Sequence, residues 1–246
     1  MDSDTQFWTI FTLVTCLKWT WRQRSDYYVG ANLSIYYYIK DPKSGRRQHR
    51  KLVFRGPDFF VVLNPFQKPR RNSWVIDNED GKFPDVIVEV LSPKTKKKDF
   101  GEKKGIYERI FKTHEYYIVD TIKEKIFGWR LSKGRYVPIE RTSEGLLWSE
   151  RLGMFLGMYQ NPGDELMPPD PQYGVLARLF TPDKQPIALP PEDALKQAAR
   201  ADAEALRARR AEEKAARAER EKARVEQEKA RLLEKLRALG VKVDDL

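Results

Sequence analysis

Residues Phe83 to Asp120 read FPDVIVEVLSPKTKKKDFGEKKGIYERIFKTHEYYIVD. The stretch opens on Pro84-Asp85 and runs through Val86-Ile87-Val88-Glu89-Val90-Leu91 to a stop at Ser92-Pro93. A short apolar run bounded by turn residues is the pattern of a strand buried on both faces. Glu89 is the exception within it, and a carboxylate in an apolar interior is costly unless it is paired or holds a metal. The competing reading places Glu89 on a solvated edge or against a core arginine. After the strand, the spacing predicts a helix from Asp99 to Phe111 with Asp99 as its N-cap. Glu115 to Asp120 then reads as a further strand.

Working outward, the same grammar recurs. Gly56-Pro57-Asp58 opens Phe59 to Leu63 (FFVVL), a twin of Pro84-Asp85 and the strand it opens. Upstream, Trp8 to Gln23 predicts a helix, Tyr27 to Ile39 is β-rich in aromatic and β-branched residues, and Pro42 to Arg50 is a polar turn region. Downstream, Lys125 to Leu131 and Arg135 to Ile139 predict two further strands. Strands in series with one intervening helix predict a mixed α/β sheet flanked by helices.

Composition changes at Pro190-Pro191. From Glu192 to Leu239 there is no Gly, Pro or aromatic residue, only strong helix formers and charge. We therefore expect a globular domain over residues 1–165, a Pro-rich linker over 166–191 and a long charged helix over 192–246, with Gly240 placed as a C-cap. Residues 192–246 hold 15 Lys/Arg and 13 Asp/Glu, a net of +2, so +8 of the chain's +10 lies before the helix. A balanced helix suits a spacer or a pairing surface better than it suits phosphate. The basic globular part favours a polyanionic partner. A single cysteine, Cys16, allows no internal disulfide and fits a reducing, cytoplasmic setting. Two histidines, His49 and His114, give no zinc-ligand pattern. The apolar run Phe7 to Leu17 falls short of the ~20 residues that a membrane-spanning helix needs, and it reads as core.

The chemistry lies with the carboxylates. Asp85 and Glu89 share one face of a strand but stand ~13 Å apart along it, so one ion cannot take both without a bend. Glu89 then needs a partner from a neighbouring strand, and Asp58 is the best candidate. Asp85 has two readings, a further metal ligand or a turn residue that hydrogen-bonds its own backbone. Lys94, Lys96, Lys97 and Lys98 follow the strand as a basic run, with Lys103 and Lys104 on the helix. Either of the last two can point back at the carboxylates and stabilise phosphate charge, while the rest bind phosphate without reading bases. Carboxylate oxygens suit Mg²⁺ or Mn²⁺, and acid, acid and lysine around such an ion is the equipment of phosphodiester hydrolysis.

Phe83 to Asp120 closely resembles the Uma-two family of restriction-endonuclease-like proteins. Its marks are a Pro-Asp strand, Glu-Val-Leu-Ser-Pro, an Asp-x-Gly-x-Lys helix and a Glu-Tyr-Tyr-Ile-Val-Asp strand, all present in that order. Arg55 to Val62 (RGPDFFVV), Leu147 to Tyr159 (LWSERLGMFLGMY) and Leu236 to Val241 (LRALGV) match as well. The resemblance implies a restriction-endonuclease-like PD-(D/E)XK core with a long C-terminal helix. It implies a catalytic set of Asp58, Glu89 and Lys103, with Asp58, Glu89 and Asp85 as metal ligands. One position departs from the superfamily pattern: two residues after the acid, where a lysine is usual, stands Leu91. The resemblance supplies the lysine from the helix instead. The expectation is a Mg²⁺- or Mn²⁺-dependent endonuclease acting on DNA, cytoplasmic, off the membrane and homodimeric. The rival is a nuclease-fold module without activity that serves assembly or nucleic-acid binding.

Overall fold

A computed structural model describes residues 4–40, 50–65, 70–92, 94–160 and 174–238. Helix α1 (Asp4–Thr20) comes first. Among the described residues twelve strands follow: β1 (Tyr27–Ala31), β2 (Ile35–Lys40), β3 (Arg50–Arg55), β4 (Phe59–Leu63), β5 (Trp74–Val75), β6 (Val86–Val90), β7 (Glu115–Asp120), β8 (Lys125–Ser132), β9 (Arg135–Pro138), β10 (Leu147–Ser149), β11 (Met154–Gln160) and β12 (Val175–Phe180). A helical segment over 96–111, here α2, links β6 to β7, and the long helix α3 (Pro190–Ala238) closes the described chain. This is the expected mixed α/β architecture.

The main sheet has the order β1-β4-β6-β7-β8-β9. Only β6 and β7 run parallel within it, and α2 is the crossover such a pair requires. The sheet has two buried faces because successive side chains point to opposite sides. On one face Phe59, Val61, Val86, Val88 and Val119 pack with Leu13 and Leu17 of α1 and with the β10-β11-β12 sheet. On the other, Phe60, Ile87, Tyr116 and Ile118 pack with Tyr107 and Phe111 of α2 and with the β3-β2-β5 sheet. β6 is therefore buried at every residue, as its apolar run requires.

Two expectations are corrected here. The β-rich stretch Tyr27 to Ile39 is two strands in two sheets, because Asn32 takes a left-handed φ of 49° and breaks the run. The stretch 166–191 is more than a linker: Val175–Phe180 pairs along β11, and Ala177, Leu179 and Ile187 are in the core. Prolines on either side misled the sequence reading, whereas the run VLARLF between them is a strand pattern. The first compact unit extends to Glu192, and Asp193–Leu246 forms the second. In that second unit Leu206 and Val225 are exposed. Of the turn region expected over Pro42 to Arg50, residues 42–49 lie outside the described residues, as does the C-cap at Gly240, and Arg50 opens β3. Among the described residues no helix is long and apolar enough to cross a membrane.

Candidate active site

Alternation along β6 decides where Glu89 points. Val86, Val88 and Val90 belong to the α1 face, and Ile87 to the α2 face. Glu89 shares the parity of Ile87, so it projects toward α2 and is 1% exposed. The antiparallel ladder pairs Phe59 with Val88 and Phe60 with Ile87, and one step further along it Asp58 stands opposite Glu89. Asp58 is thus brought to Glu89 by register, across 31 residues of sequence. Its Oδ2 accepts a hydrogen bond from the Val90 backbone N–H at 2.7 Å, and its Oδ1 accepts one from Gln6 Nε2 of α1 at 3.0 Å.

The cation comes from α2. This helix starts at Lys96, one turn before the predicted N-cap, so Asp99 is an interior residue and not a cap. Its turns widen to π-type hydrogen bonding over Asp99–Lys103 and again over Tyr107–Phe111. In a regular α-helix, residues four apart drift by ~40° around the axis. Wider turns counter that drift, and Asp99, Lys103, Tyr107 and Phe111 stay in one line facing the sheet. π-turns of this kind recur at functional sites. Lys103 Nζ lies 3.0 Å from Glu89 Oε2 and 2.8 Å from Asp99 Oδ1. The Tyr107 hydroxyl donates to Glu89 Oε1 at 2.7 Å. Apart from Lys103, no donor among the described residues reaches either carboxylate oxygen of Asp99, although both are buried.

Charge balance at this point is unfavourable. Burial pushes the Glu89 carboxyl up to about 8, with Lys103 opposing the rise and Asp58 adding to it. Burial also raises Asp58, against the Val90 hydrogen bond. For Lys103 burial disfavours the charge, yet Glu89 and Asp99 outweigh it and the ammonium is held above its usual value. Three buried or half-buried carboxylates against one ammonium leave two negative charges when all are ionised. The donor set is all oxygen, which fits a hard divalent cation. Among the described residues no three His, Cys, Asp or Glu side chains close on one ion unaided. Mg²⁺ sites commonly use one or two carboxylates and fill the remaining positions with water and substrate phosphate.

The structure thus brings Asp58, Glu89 and Lys103 together and places Asp85 elsewhere. Asp85 precedes β6, where its Oδ2 accepts from the Leu63 backbone N–H at 2.8 Å and its Oδ1 lies 3.5 Å from His114 Nδ1. Leu63 ends the neighbouring strand β4, so this is a bond between strands and not the local turn bond of Asp85 to its own backbone. Lys104 turns away from the acids, with Nζ 3.9 Å from the Trp129 ring centre. Leu91, the position of the missing strand lysine, is half-buried against the α2-side core. Sequence reasoning missed Asp99, Tyr107 and Gln6 as neighbours of the acids. The fourfold spacing 99, 103, 107 was a usable signal for the first two. Nothing local announces Gln6, whose contact spans 52 residues.

The sequence profile of the Uma2 family, described as "putative restriction endonuclease", matches residues 6–157. The chain belongs to the Uma2 family. The match begins at Gln6 and takes in Asp58, Glu89, Asp99, Lys103 and Tyr107. Family membership places the chain among nuclease-like proteins. A crystal structure of a putative nuclease of the DUF820 group from Anabaena variabilis is similar at 13% identity, with a TM-score of 0.44, over 62% of this chain and 75% of that one. No curated protein matches.

Proposed function

We propose that this Uma2 protein is a metal-dependent endonuclease that hydrolyses phosphodiester bonds in DNA, with Asp58 and Glu89 holding a Mg²⁺ or Mn²⁺ ion and Lys103 as the catalytic cation. The observation that carries the reading is the excess of buried carboxylate around a single lysine. A divalent ion held there supplies Lewis acidity, which acidifies water and offsets charge on the phosphodiester. Lys103 is fixed between Glu89 and Asp99, so its ammonium is oriented in advance toward negative charge developing nearby. Tyr107 fixes the Glu89 carboxyl, and Gln6 and the Val90 amide fix Asp58, which keeps both acids from rotating. Asp99 holds the lysine and is a positioning residue.

DNA is favoured by the +8 charge of residues 1–191 and by the family's description. A homodimer suits cleavage of both strands of a duplex, and the charged helix α3 offers a pairing surface. The setting we propose is cytoplasmic, in keeping with the lone cysteine, which is buried. The test is calorimetric titration of Mg²⁺ and Mn²⁺ into wild type and Glu89→Ala, with plasmid nicking on the same samples. Binding and nicking in wild type, both lost in the variant, support the reading. A folded wild type that neither binds metal nor nicks DNA overturns it in favour of an inactive assembly module. Sedimentation of the full chain tests the dimer.

A further inference from the structure

We propose that the outer face of the β3-β2-β5 sheet is a stacking platform for single-stranded nucleic acid. This proposal deepens the nuclease reading and rests on it for the link to catalysis, not for the binding itself.

The strands β2 and β3 alternate as a half-buried ribbon should. Ile35 and Tyr37 point into the core. The other parity forms three cross-strand rows on the outer side: Tyr36 with Phe54, Tyr38 with Leu52, and Lys40 with Arg50. Of these, Tyr38 is 41% exposed, Leu52 47% and Phe54 56%. A solvent-facing row would be expected to carry Thr, Lys or Glu. Two adjoining rows of rings and apolar chains form a contiguous patch, which marks a binding surface more often than a free one. The rings are already arranged, Tyr36 and Phe54 with centres 5.6 Å apart.

Charge selects the partner. The third row is basic, and the Arg50 guanidinium lies over the Tyr38 ring at 4.8 Å. Asp77 approaches Arg50 only at 4.0 Å, with both side chains largely exposed, so the cation remains available. Rings for bases with cations for backbone is the combination that holds single strands without regard to sequence. A duplex hides the ring faces of its bases, so it has little to offer these rows. A second copy of this chain would bring the same Lys40 and Arg50 row against itself.

Position ties the platform to the carboxylates. Phe54 precedes Asp58 by four residues, so their Cα atoms are at most ~14 Å apart. Between them Arg55 is anchored to Glu102 at 2.6 Å, the neighbour of Lys103. Phe54 is therefore held close along the chain to the segment that carries Asp58.

The experiment is fluorescence anisotropy in chelator-containing buffer, with labelled oligothymidylate of roughly 12 nucleotides, within the span of known single-strand sites, and a duplex of equal length. Wild type should prefer the single strand. Tyr38→Ala/Phe54→Ala should weaken single-strand binding by ~10-fold or more with the duplex affinity little changed, and Phe54→Trp should keep binding. Lys40→Gln/Arg50→Gln leaves the rings in place and should flatten the salt dependence by roughly 1.4 in log–log slope. Wild type that binds single strand no better than duplex, or ring variants that bind like wild type, would overturn the platform. So would a ring variant that turns a dimer into a monomer with binding unchanged, because the face would then join two copies. If no protein nicks plasmid yet the binding pattern holds, the nuclease reading falls and the platform stands.

Discussion

Glu89 and Glu115 sit on neighbouring parallel strands, each 1% exposed, one on each face of the sheet. Glu115 is surrounded by donors: Ser149 Oγ and the Tyr117 hydroxyl reach Oε2, and the Glu150 backbone N–H, at 2.8 Å, and Arg130 Nε, at 3.4 Å, reach Oε1. Glu89 has Tyr107 and Lys103, and beyond them two more acids. One carboxylate is satisfied by its own fold and ties the main sheet to β10. The other is left short of positive charge. Burial alone therefore does not distinguish a structural acid from a functional one; the balance of donors around it does.

The contrast can be broken most forcefully by removing each acid in turn. Glu89→Ala should cost at least ~100-fold in nicking, the scale of losing a main electrostatic group, with the melting temperature held or raised. Glu115→Ala strands Arg130, Ser149 and Tyr117 and should cost about 3 kcal/mol, or roughly 10 °C in melting temperature. Nicking should persist at temperatures where that variant is folded. Reversed outcomes in paired nicking and thermal melts would undo the distinction.

A second effect is read from pH. With its carboxyl at about 8 in the folded chain against 4.5 otherwise, Glu89 keeps a proton that the unfolded chain gives up. The folded state binds more protons across that window, so the stability of metal-free protein falls as pH rises from about 4.5 to about 8 and levels above it. Glu89→Gln should lose this slope. Urea midpoints at pH 5 and pH 8 in chelator check it, and parallel behaviour of the two proteins would remove the case for a strained acid.

Smaller effects sharpen the comparison. Tyr107→Phe deletes one donor to Glu89 and should cost about 1–2 kcal/mol, with nicking reduced by ~10-fold and restored in part at higher metal concentration. Asp85→Asn is the smallest, about 1 kcal/mol in stability through the Leu63 amide, with metal binding unchanged by calorimetry. Lost metal binding would instead make Asp85 a ligand.

Glu89 and Asp58 were legible because a charge in an apolar strand is a conflict visible in the sequence itself. Their pairing needed only the alternation of a strand and a neighbour of matched grammar. The α2 lysine came from the family motif, and the geometry gives its reason: Leu91 packs into the core while Lys103 meets Glu89 from the helix. Asp99 was misread because an aspartate before a helix is a cap signal, while the lysines ahead of it look like solvated loop. Strand Val175–Phe180 was obscured by flanking prolines. Gln6 was invisible, since the contact that gives it meaning exists only once α1 docks.

Because the cation is carried by the helix and not by the strand, the two halves of the site are separate parts. They meet through the contacts of Lys103 and Tyr107 with Glu89 and the core that Tyr107 and Phe111 share with the sheet. What an exchange of the helix must preserve is phase: a graft of plain α-helix over 96–111 would keep every residue name and still rotate Tyr107 out of line with Lys103. A single residue inserted or deleted there would turn Tyr107 and Phe111 out of the core and carry Lys103 away from Glu89.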